Sequence, residues 1–470
     1  MRRTHIRVTP WENKKLKDTI RLFADHVSRT SFEDLPDEAV RAARIFILDT
    51  IGVGLVGTNG PRVRDLIKSS ASMMGDGSAR CWGHQQTLSA PGAAMINGYQ
   101  VHNSEFDCVH EIAVIHPVTV CLAALMAYAD RTGNVSGRDL VTAVVLGVDT
   151  ACHLGVATTT GLRFFRPATA GAFAAAAGLG KVLNLDADGQ TNLFGHVYGQ
   201  LCGTMQPHTE GSMLLGLQIG FNARNAVIAA DLSSHEIPSI ENILEGPFGY
   251  FGMIEGEGDL DRVRNSIGQI WRITEVAHKP FPSGRATHGM LDAFMELQEE
   301  QKFKACDIER AVALIPPLTH HLVGRPVIDD MEVNYARLCG SYVSACALLR
   351  GGVDIEDFTD NRRNDAETLA LGRRIETVID DNPDPNALTP VTVSVFLKDG
   401  RNMTRTIDTV YGNPAKPMTR EAHLEKFRRN FSAALNPMPP ANADRLIDML
   451  DNVEQLEDAR QIGDLLVPFS

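Results

Sequence analysis

The spacing of apolar residues changes near residue 272, and this change constrains the fold more than any other feature of the sequence. Before it, apolar residues recur every three or four positions in segments rich in alanine and glycine, which predicts packed helices. After it, residues 390–409 alternate apolar and polar side chains on both sides of Asp399-Gly400, which predicts a β-hairpin. The sequence therefore predicts a mainly α protein with two domains. Residues 1–274 and 410–470 are expected to form a large all-helical domain, and residues 275–409 a smaller α+β domain.

Particular segments extend this prediction. A helix is expected from Pro36, and Gly52 and Gly54 are expected to interrupt it. Residues 274–281 are short and strand-like. After Pro417 the helical period returns, and this C-terminal segment is expected to dock on the first domain.

Composition limits the partners and the compartment. The net charge of −13, without a block of lysine or arginine, argues against nucleic-acid binding. The longest nearly apolar stretch, residues 112–129, is interrupted by His116 and Pro117, so no membrane span is predicted. Residues 1–15 are basic but lack an apolar segment, which is typical of a loose leader and not of a secretory signal. Eight cysteines without C-x-x-C spacing are expected to be reduced, which places the protein in the cytoplasm.

The stretch HNSEFDCVHEIAVIHP, residues 102–117, carries much of the titratable chemistry of the chain. It precedes a predicted buried helix, and the amides at a helix start attract anions. An imidazole such as His116 beside Glu105 or Asp107 can move protons at neutral pH, so a small acidic molecule is the expected ligand. The alternative is that the histidines only cap helices, which is the more common situation for His102 and His110 taken singly.

A second cluster, HKPFPSGRATHG, residues 278–289, combines Lys279, Ser283, Arg285 and His288 around a proline and glycine turn. Such a cluster could hold a carboxylate or withdraw a proton beside it. Arg166 stands at a predicted helix entry, where it could clamp a carboxylate or be an ordinary surface charge. No set of histidine, cysteine and acidic residues has the spacing of a closed zinc site, so no metal is predicted.

Together with GFNARNAVIAADL and LEGPFGYF, these stretches resemble the MmgE/PrpD family over nearly the whole chain, from Phe32 to about Leu435. The first matching motif is an acid, then Phe or Leu, then two Asp residues and, further on, a histidine before Pro or Ser; Cys108 replaces the second Asp in this chain. The second is a turn of the form Lys-x-aromatic-x-Ser/Cys, followed by a histidine that opens the next helix. In this chain those positions are Glu105, Phe106, Asp107, His116, Lys279, Phe281, Ser283 and His288.

The resemblance implies a large helical domain, a smaller α+β lid domain (residues 275–409) and a site between them. It also implies a homodimer and no cofactor. It implies catalytic roles for His116 and Lys279, with Glu105 or Asp107 orienting the histidine. The residues expected to contact the substrate are Arg166, Arg285, His110, Ser283 and His288.

The family includes dehydratases, decarboxylases and epimerases, so the implied functions differ in reaction. The first hypothesis is a cofactor-free lyase of the dehydratase type that removes a proton next to a carboxylate of a small di- or tricarboxylic acid. The second is an epimerase of a small dicarboxylate such as iminodisuccinate. The third is a non-catalytic family member that only binds carboxylates. The chain departs from the decarboxylases near Leu215, where they carry a lysine, because it has no lysine between Lys181 and Lys279.

Overall fold

The structure is a computed structural model that describes residues 18–469. It is mainly helical with one small four-stranded sheet, so the predicted fold class is confirmed. The interpretation of residues 1–15 as a leader lies outside the described residues.

Eleven helices precede the change of period within the described part of the chain. They are α1 (Ile20–Arg29), α2 (Asp37–Val56), α3 (Val63–Met74), α4 (Ala90–His102), α5 (Thr119–Thr132), α6 (Gly137–Ala157), α7 (Arg166–Val182), α8 (Ala187–Tyr198), α9 (Gln206–Glu210), α10 (Leu214–Ser234) and α11 (Asp261–Arg264). The described residues before 272 contain only one sheet, an antiparallel pair of two-residue strands, β1 (Ala79–Arg80) and β2 (Thr87–Leu88).

Helices α4, α5, α6, α7 and α10 pack against one another and form the core of this domain. Alanine and glycine residues of α7 between Ala168 and Gly180 are fully buried, because small side chains let the neighbouring backbones approach closely. Their close packing is therefore used within the subunit. Of the described helices, α6 has the length and apolar composition of a membrane span, but 94% of its apolar window is buried inside the protein. A helix that is apolar on all sides is typical of such a core position.

Helix α2 corrects one expectation, because it continues through Gly52 and Gly54 to Val56. Both glycines serve close packing. A Cβ atom on Gly52 would lie 2.8 Å from the Phe427 ring, and one on Gly54 would lie 2.8 Å from the Trp82 ring. These residues therefore mark the places where aromatic rings press on the helix and not its end.

The lid segment begins with α12 (His288–Gln301) and carries the sheet. Its further helices are α13 (Pro317–Val323), α14 (Val333–Arg337), α15 (Gly340–Arg350), α16 (Asp360–Arg363) and α17 (Ala366–Gly372). Its strands are β3 (Ile308–Ile315), β4 (Ile375–Ile379), β5 (Val391–Leu397) and β6 (Asn402–Ile407), in the order β4-β3-β5-β6. Strand β4 runs parallel to β3, and the other neighbours are antiparallel.

The predicted hairpin at Asp399-Gly400 is present as β5 and β6, with Val391 opposite Ile407. Val391, Val393, Val395 and Leu397 are buried and their alternate neighbours are less so, as the alternating sequence requires. Residues 274–281 do not form a strand. The first two of them belong to a 3₁₀ turn, Arg272–Glu275. A single antiparallel bridge then joins Ala277 to Val109 of the helical domain.

The chain ends with α18 (Arg420–Ser432), α19 (Ala441–Asp451) and α20 (Arg460–Asp464). Helix α18 packs on α2, α19 also contacts α2, and α20 contacts α5. The C-terminal segment therefore returns to the first domain, and its buried residues join that domain's core.

Candidate active site

The residues of the first chemical cluster lie in the connection between α4 and α5, which is buried despite its polar sequence. His102 is the last residue of α4, and Thr119 is the first residue of α5. Glu105, Asp107 and His116 lie between them, each at most 9% exposed. The helix predicted after this cluster therefore begins at Thr119, three residues after His116.

Asp107 is the centre of the cluster because its two carboxylate oxygens contact two histidines. Its Oδ2 lies 3.0 Å from Nδ1 of His102 and accepts a hydrogen bond of 2.7 Å from Oγ1 of Thr119. Its Oδ1 lies 3.2 Å from Nδ1 of His116. The two imidazole rings meet edge to face, with centroids 4.9 Å apart. The hydrogen bond to Asp107 fixes the orientation of the His102 ring and favours a proton on its Nδ1. Nδ1 of His116 contacts Asp107 without the geometry of a hydrogen bond, but the negative charge beside it favours a proton on this nitrogen too, which leaves Nε2 for chemistry.

A backbone bridge brings Lys279 to this cluster. The amide of Val109 donates to the carbonyl of Ala277 (3.0 Å), and the amide of Ala277 donates to the carbonyl of Val109 (2.7 Å). Two residues further on, Nζ of Lys279 donates to Oε2 of Glu105 at 3.0 Å and lies 3.9 Å from Oδ1 of Asp107. Lys279 is fully buried, so this ion pair is shielded from water.

The backbone of the cluster is strained at Glu105, which has φ 52° although it is not a glycine. Nζ of Lys279 also donates to the carbonyl of Glu105, at 3.2 Å, and so holds this conformation from the lid side. Val114, a β-branched residue in the turn before His116, has φ 53°. Such conformations cost about 1–3 kcal/mol each and cluster at functional sites.

The environment moves the pKa values of the two histidines in opposite directions. Burial lowers the pKa of His102, but the charges of Asp107 and Glu105 more than reverse this effect, so its pKa is raised. For His116 burial prevails, reinforced by the charge of Lys279 and opposed by Asp107, and its pKa is lowered. His102 is thus the ring that holds a proton more strongly, and His116 the ring that holds it less strongly.

Both carboxylates remain ionised. Burial raises the pKa of Glu105, but Lys279 and the histidines outweigh burial and lower it to about 2. Burial also raises the pKa of Asp107, and contact with His116 and His102 brings it well below its usual range. The arrangement can therefore accept a proton at His116 and donate one from His102.

Ser283 and His288, which follow Lys279 in the second cluster, are both buried. Ser283 is buried, with its hydroxyl 2.8 Å from that of Thr287. His288 is fully buried, and its Nε2 has no hydrogen-bond partner. Burial, reinforced by the charges of Arg285 and Lys279, holds its pKa well below the usual range.

Three predicted contact residues are instead held in other networks. His110 bonds Glu275 at 2.9 Å and accepts the amide of Ala113, so it stabilises the turn before His116. Arg166 is fully buried, pairs with Glu255 at 3.0 Å and donates to the carbonyl of Ala113.

Arg285 joins the two domains. Its Nε donates to Glu111 at 2.6 Å, and its Nη1 donates to the carbonyl of Tyr411 at 2.8 Å. The structure thus gathers Glu105, Asp107, His116 and Lys279, and surrounds them with residues that fix their supports.

A second buried polar cluster supports the same segment from behind. Lys426 of α18 donates to Asp49 of α2 at 2.7 Å and to the carbonyl of Phe106 at 3.2 Å. Its Nζ also lies 4.2 Å from the centroid of the Phe106 ring. Successive residues therefore alternate: Glu105 and Asp107 face the histidines, whereas Phe106 faces Lys426.

Two sets of side chains have donor atoms that lie within 4.8 Å of one another, close enough to share a metal ion: His102, Asp107 and His116, and also Asp49, His278 and His423. Spacing along the chain could not reveal them, since their members come from separate elements. In each set a lysine ammonium already lies beside the carboxylate, at 3.9 Å from Asp107 and 2.7 Å from Asp49. Each set therefore offers only a partial fit to a divalent cation, and the absence of a metal stays a prediction.

The sequence favoured a helix-capping role for His102 and gave no site role to Thr119, Arg337 or Arg325. The signal for His102 was its distance of five residues from Asp107 across a turn. Arg337 lies on α14 of the lid and donates from Nη1 to the carbonyl of Asn103, next to His102. No local pattern distinguished this arginine from the others of the chain.

The whole chain is similar to one family of proteins. Residues 21–262 match the MmgE/PrpD N-terminal domain, and residues 281–454 match the MmgE/PrpD C-terminal domain. The cis-aconitate decarboxylases of Homo sapiens and Mus musculus are 28% and 27% identical to this chain. Each alignment covers 96% of this chain, together with 95% of the human enzyme and 94% of the mouse enzyme.

A cis-aconitate decarboxylase of Aspergillus terreus is 24% identical over 93% of this chain and 94% of its own length. The two domain matches together span most of the chain and contain the first chemical cluster and residues 281–289 of the second, whereas Lys279 lies between the two matches. The chain therefore belongs to the MmgE/PrpD family.

Proposed function

We propose that this protein is a lyase that acts on a small di- or tricarboxylic acid by moving a proton at a carbon next to a carboxylate. Lyase activity is the class of the relatives, which are cis-aconitate decarboxylases. The observation that carries the proposal is one carboxylate, Asp107, shared by two histidines whose pKa values move apart. Such a separation provides a base and an acid in one site at neutral pH.

In the proposed reaction His116 is the base. Its Nδ1 is buried against Asp107, and the ring retains 11% of its side-chain surface exposed, so other ring atoms can meet a ligand. His116 takes the proton from the carbon next to the carboxylate, and the electron pair of that bond forms a carbon–carbon double bond as the neighbouring carbon–oxygen bond breaks. The proton held at His102 Nε2, which lies 3.5 Å from Glu105 Oε1, passes to the departing hydroxyl and gives water.

Lys279 supplies the positive charge that this step needs. Removing the proton places negative charge on the adjacent carboxylate, and a fixed cation in a buried site stabilises it most strongly. Nζ of Lys279 already bonds a carboxylate, Glu105, and is therefore placed where an anion can be held.

We favour dehydration over decarboxylation because of Leu215. This residue is buried, 3% exposed, at the first turn of α10, and it offers no charge where the resemblance places a lysine in the decarboxylases. Epimerisation is the second candidate and would need a base on each face of the substrate. Both histidines instead contact the same carboxylate with their rings 4.9 Å apart, which supports paired acid and base roles.

The test is turnover by the purified full-length protein on a panel of citrate, methylcitrate, cis-aconitate, tartrate and iminodisuccinate. Ultraviolet absorbance reports formation or loss of the double bond, released CO₂ reports decarboxylation, and chiral chromatography reports epimerisation. We expect dehydration or hydration of at least one acid and its loss in His116→Ala. Epimerisation alone would favour the second candidate, and the absence of all three reactions would favour a carboxylate-binding protein.

A further inference from the structure

Arg337 differs from every other buried arginine in residues 18–469. Four buried arginines have a carboxylate within 4.0 Å, namely Arg166, Arg272, Arg285 and Arg363. Arg337 is 6% exposed and has no such partner in this part of the chain. Its Nε is buried without a hydrogen-bond partner.

A buried charge without a partner is unfavourable, because burial removes the water that would stabilise it. Burial accordingly lowers the pKa of Arg337 to about 10, against the opposing charge of Glu105. At neutral pH the guanidinium still carries its charge. A second group must supply the missing negative charge, and the location of Arg337 indicates which group that is.

Arg337 lies where the lid meets the end of α4. It donates from Nη1 to the carbonyl of Asn103, one residue after His102 and two before Glu105. A Cβ atom on Gly216, next to Leu215, would lie 3.5 Å from Asn103 Cα. Arg337 therefore places a cation of the lid near Asn103, close to the start of α10, where this chain has the uncharged Leu215.

Two further polar side chains, Arg325 and His208, lie beside each other close to α14. Arg325 has no carboxylate within 4.0 Å among the described residues, donates to the carbonyl of His208 at 3.2 Å and keeps a buried Nη1 without a partner. His208 is 4% exposed, with Nε2 also unpartnered. Asn334, on α14 with Arg337, donates to the carbonyl of Ser212, so the residues that follow α9, the helix that carries His208, are docked on the lid helix.

The balance of charge fits an acidic ligand. Glu105 and Asp107 supply two negative charges, whereas Lys279, Arg325 and Arg337 supply three positive ones before His102 is counted. Both arginines lie at α14: Arg337 is its last residue, and the guanidinium carbon of Arg325 lies 4.9 Å from the centroid of the Tyr335 ring on the same helix. These residues therefore carry an excess of positive charge before a ligand binds.

We infer that Arg337, with Arg325 and His208 beside it, binds a second carboxylate of the substrate, remote from the carbon at which the proton moves. The inference rests on the proposed function and makes the substrate a di- or tricarboxylate and not a monocarboxylate. A planar guanidinium matches a carboxylate through two parallel hydrogen bonds, which an ammonium cannot reproduce.

Binding can be tested without turnover, using tricarballylate as an unreactive tricarboxylate, glutarate as a dicarboxylate and butyrate as a monocarboxylate. We expect the full-length protein to bind tricarballylate and glutarate more tightly than butyrate in calorimetry. Arg337→Met should weaken tricarballylate binding by roughly 10- to 100-fold, the effect of losing hydrogen bonds to a charged group. Butyrate binding should change little, and Arg337→Lys should recover only part of the loss.

Arg363→Met is the matched control, since Arg363 is a buried lid arginine that donates to the carbonyl of Met331 and pairs with Asp360. It should lower the melting temperature without changing the ratio of tricarballylate to butyrate affinity. If Arg337→Met does not fold, Arg325→Met tests the same carboxylate-binding group. It should weaken the binding of tricarballylate and leave the binding of butyrate nearly unchanged.

The inference is overturned if the unmodified protein does not bind tricarballylate at millimolar concentration, or if a folded Arg337→Met protein binds it as tightly as the unmodified protein. Failure of the proposed function gives a different result: selective binding of tricarballylate persists, but no acid of the panel is converted.

Discussion

Replacing Asp107 with asparagine should stop most turnover while preserving the fold. Both oxygens of Asp107 are used: Oδ2 by Nδ1 of His102 (3.0 Å) and Oγ1 of Thr119 (2.7 Å), and Oδ1 by Nδ1 of His116 (3.2 Å). An asparagine has one acceptor oxygen, so its NH₂ group must face one of these donors. If the oxygen stays with His102 and Thr119, the amide meets His116.

The amide would change the tautomer of the neutral His116 ring. Facing an NH₂ group, Nδ1 accepts a hydrogen bond and the proton moves to Nε2, so Nε2 can no longer act as the base. Losing a positioned base typically costs about 10²- to 10⁴-fold in rate, and we expect a fall in kcat within this range. The opposite amide orientation leaves His102 and Thr119 facing the NH₂ group, and a buried unsatisfied donor costs about 1–3 kcal/mol in stability.

The assay combines kcat on the best substrate of the panel with ¹⁵N spectra that report which ring nitrogen is protonated. Asp149→Asn is a matched control, because Asp149 is also fully buried and lies 3.1 Å from a histidine, His26, outside this site. It should leave kcat within a few-fold of the unmodified protein. The reasoning is refuted if Asp107→Asn keeps kcat within tenfold while Nδ1 of His116 remains protonated.

Three further predictions concern the site, the pH dependence of stability and the assembly. His116→Ala and Lys279→Ala should each lower kcat by about 10²- to 10⁴-fold without changing the circular dichroism spectrum; near-normal turnover in His116→Ala would mean that this histidine only caps a helix. Burial lowers the pKa of His278 to about 3 and that of His423 to about 4, each from 6.5, so below pH 6.5 the unfolded chain binds protons that the folded protein does not. Stability should therefore fall as the pH decreases from 6.5 towards 4, and His423→Gln should make urea midpoints less dependent on pH over that interval; an unchanged pH dependence would contradict this. We also expect a homodimer, so light scattering at micromolar concentration that gave the 51.2 kDa monomer mass would contradict it.

The local pattern of the sequence was enough for the fold class and for most of the elements, although residues 274–281 do not form the expected strand. The hairpin at Asp399-Gly400 followed from alternation and a turn dipeptide, both of which are local properties. The helices followed from the spacing of apolar residues in the same way. Where the local pattern misled, at Gly52 and Gly54, the reason was tertiary: the glycines make room for Phe427 and Trp82, which are distant in the chain.

The candidate site could be predicted only in part. The sequence singled out Glu105, Asp107, His116 and Lys279 because their residue types cluster in two short stretches that resemble family motifs. It could not show that Asp107 is shared by two histidines, since this depends on how the chain turns between α4 and α5. For the same reason it could not separate His102, which faces Asp107, from His110, which faces Glu275.

The mainly α fold, the position of the sheet and the two stretches that carry the chemistry could all be predicted from the sequence, because each depends on neighbours along the chain. Which charges are paired could be learned only from the three-dimensional arrangement. The Val109–Ala277 bridge brings Lys279 to Glu105 across the domains, Glu255 neutralises Arg166, and no carboxylate among the described residues neutralises Arg337. Whether a buried charge is balanced depends on groups within a few ångströms in space, and those groups come from segments that no local pattern relates.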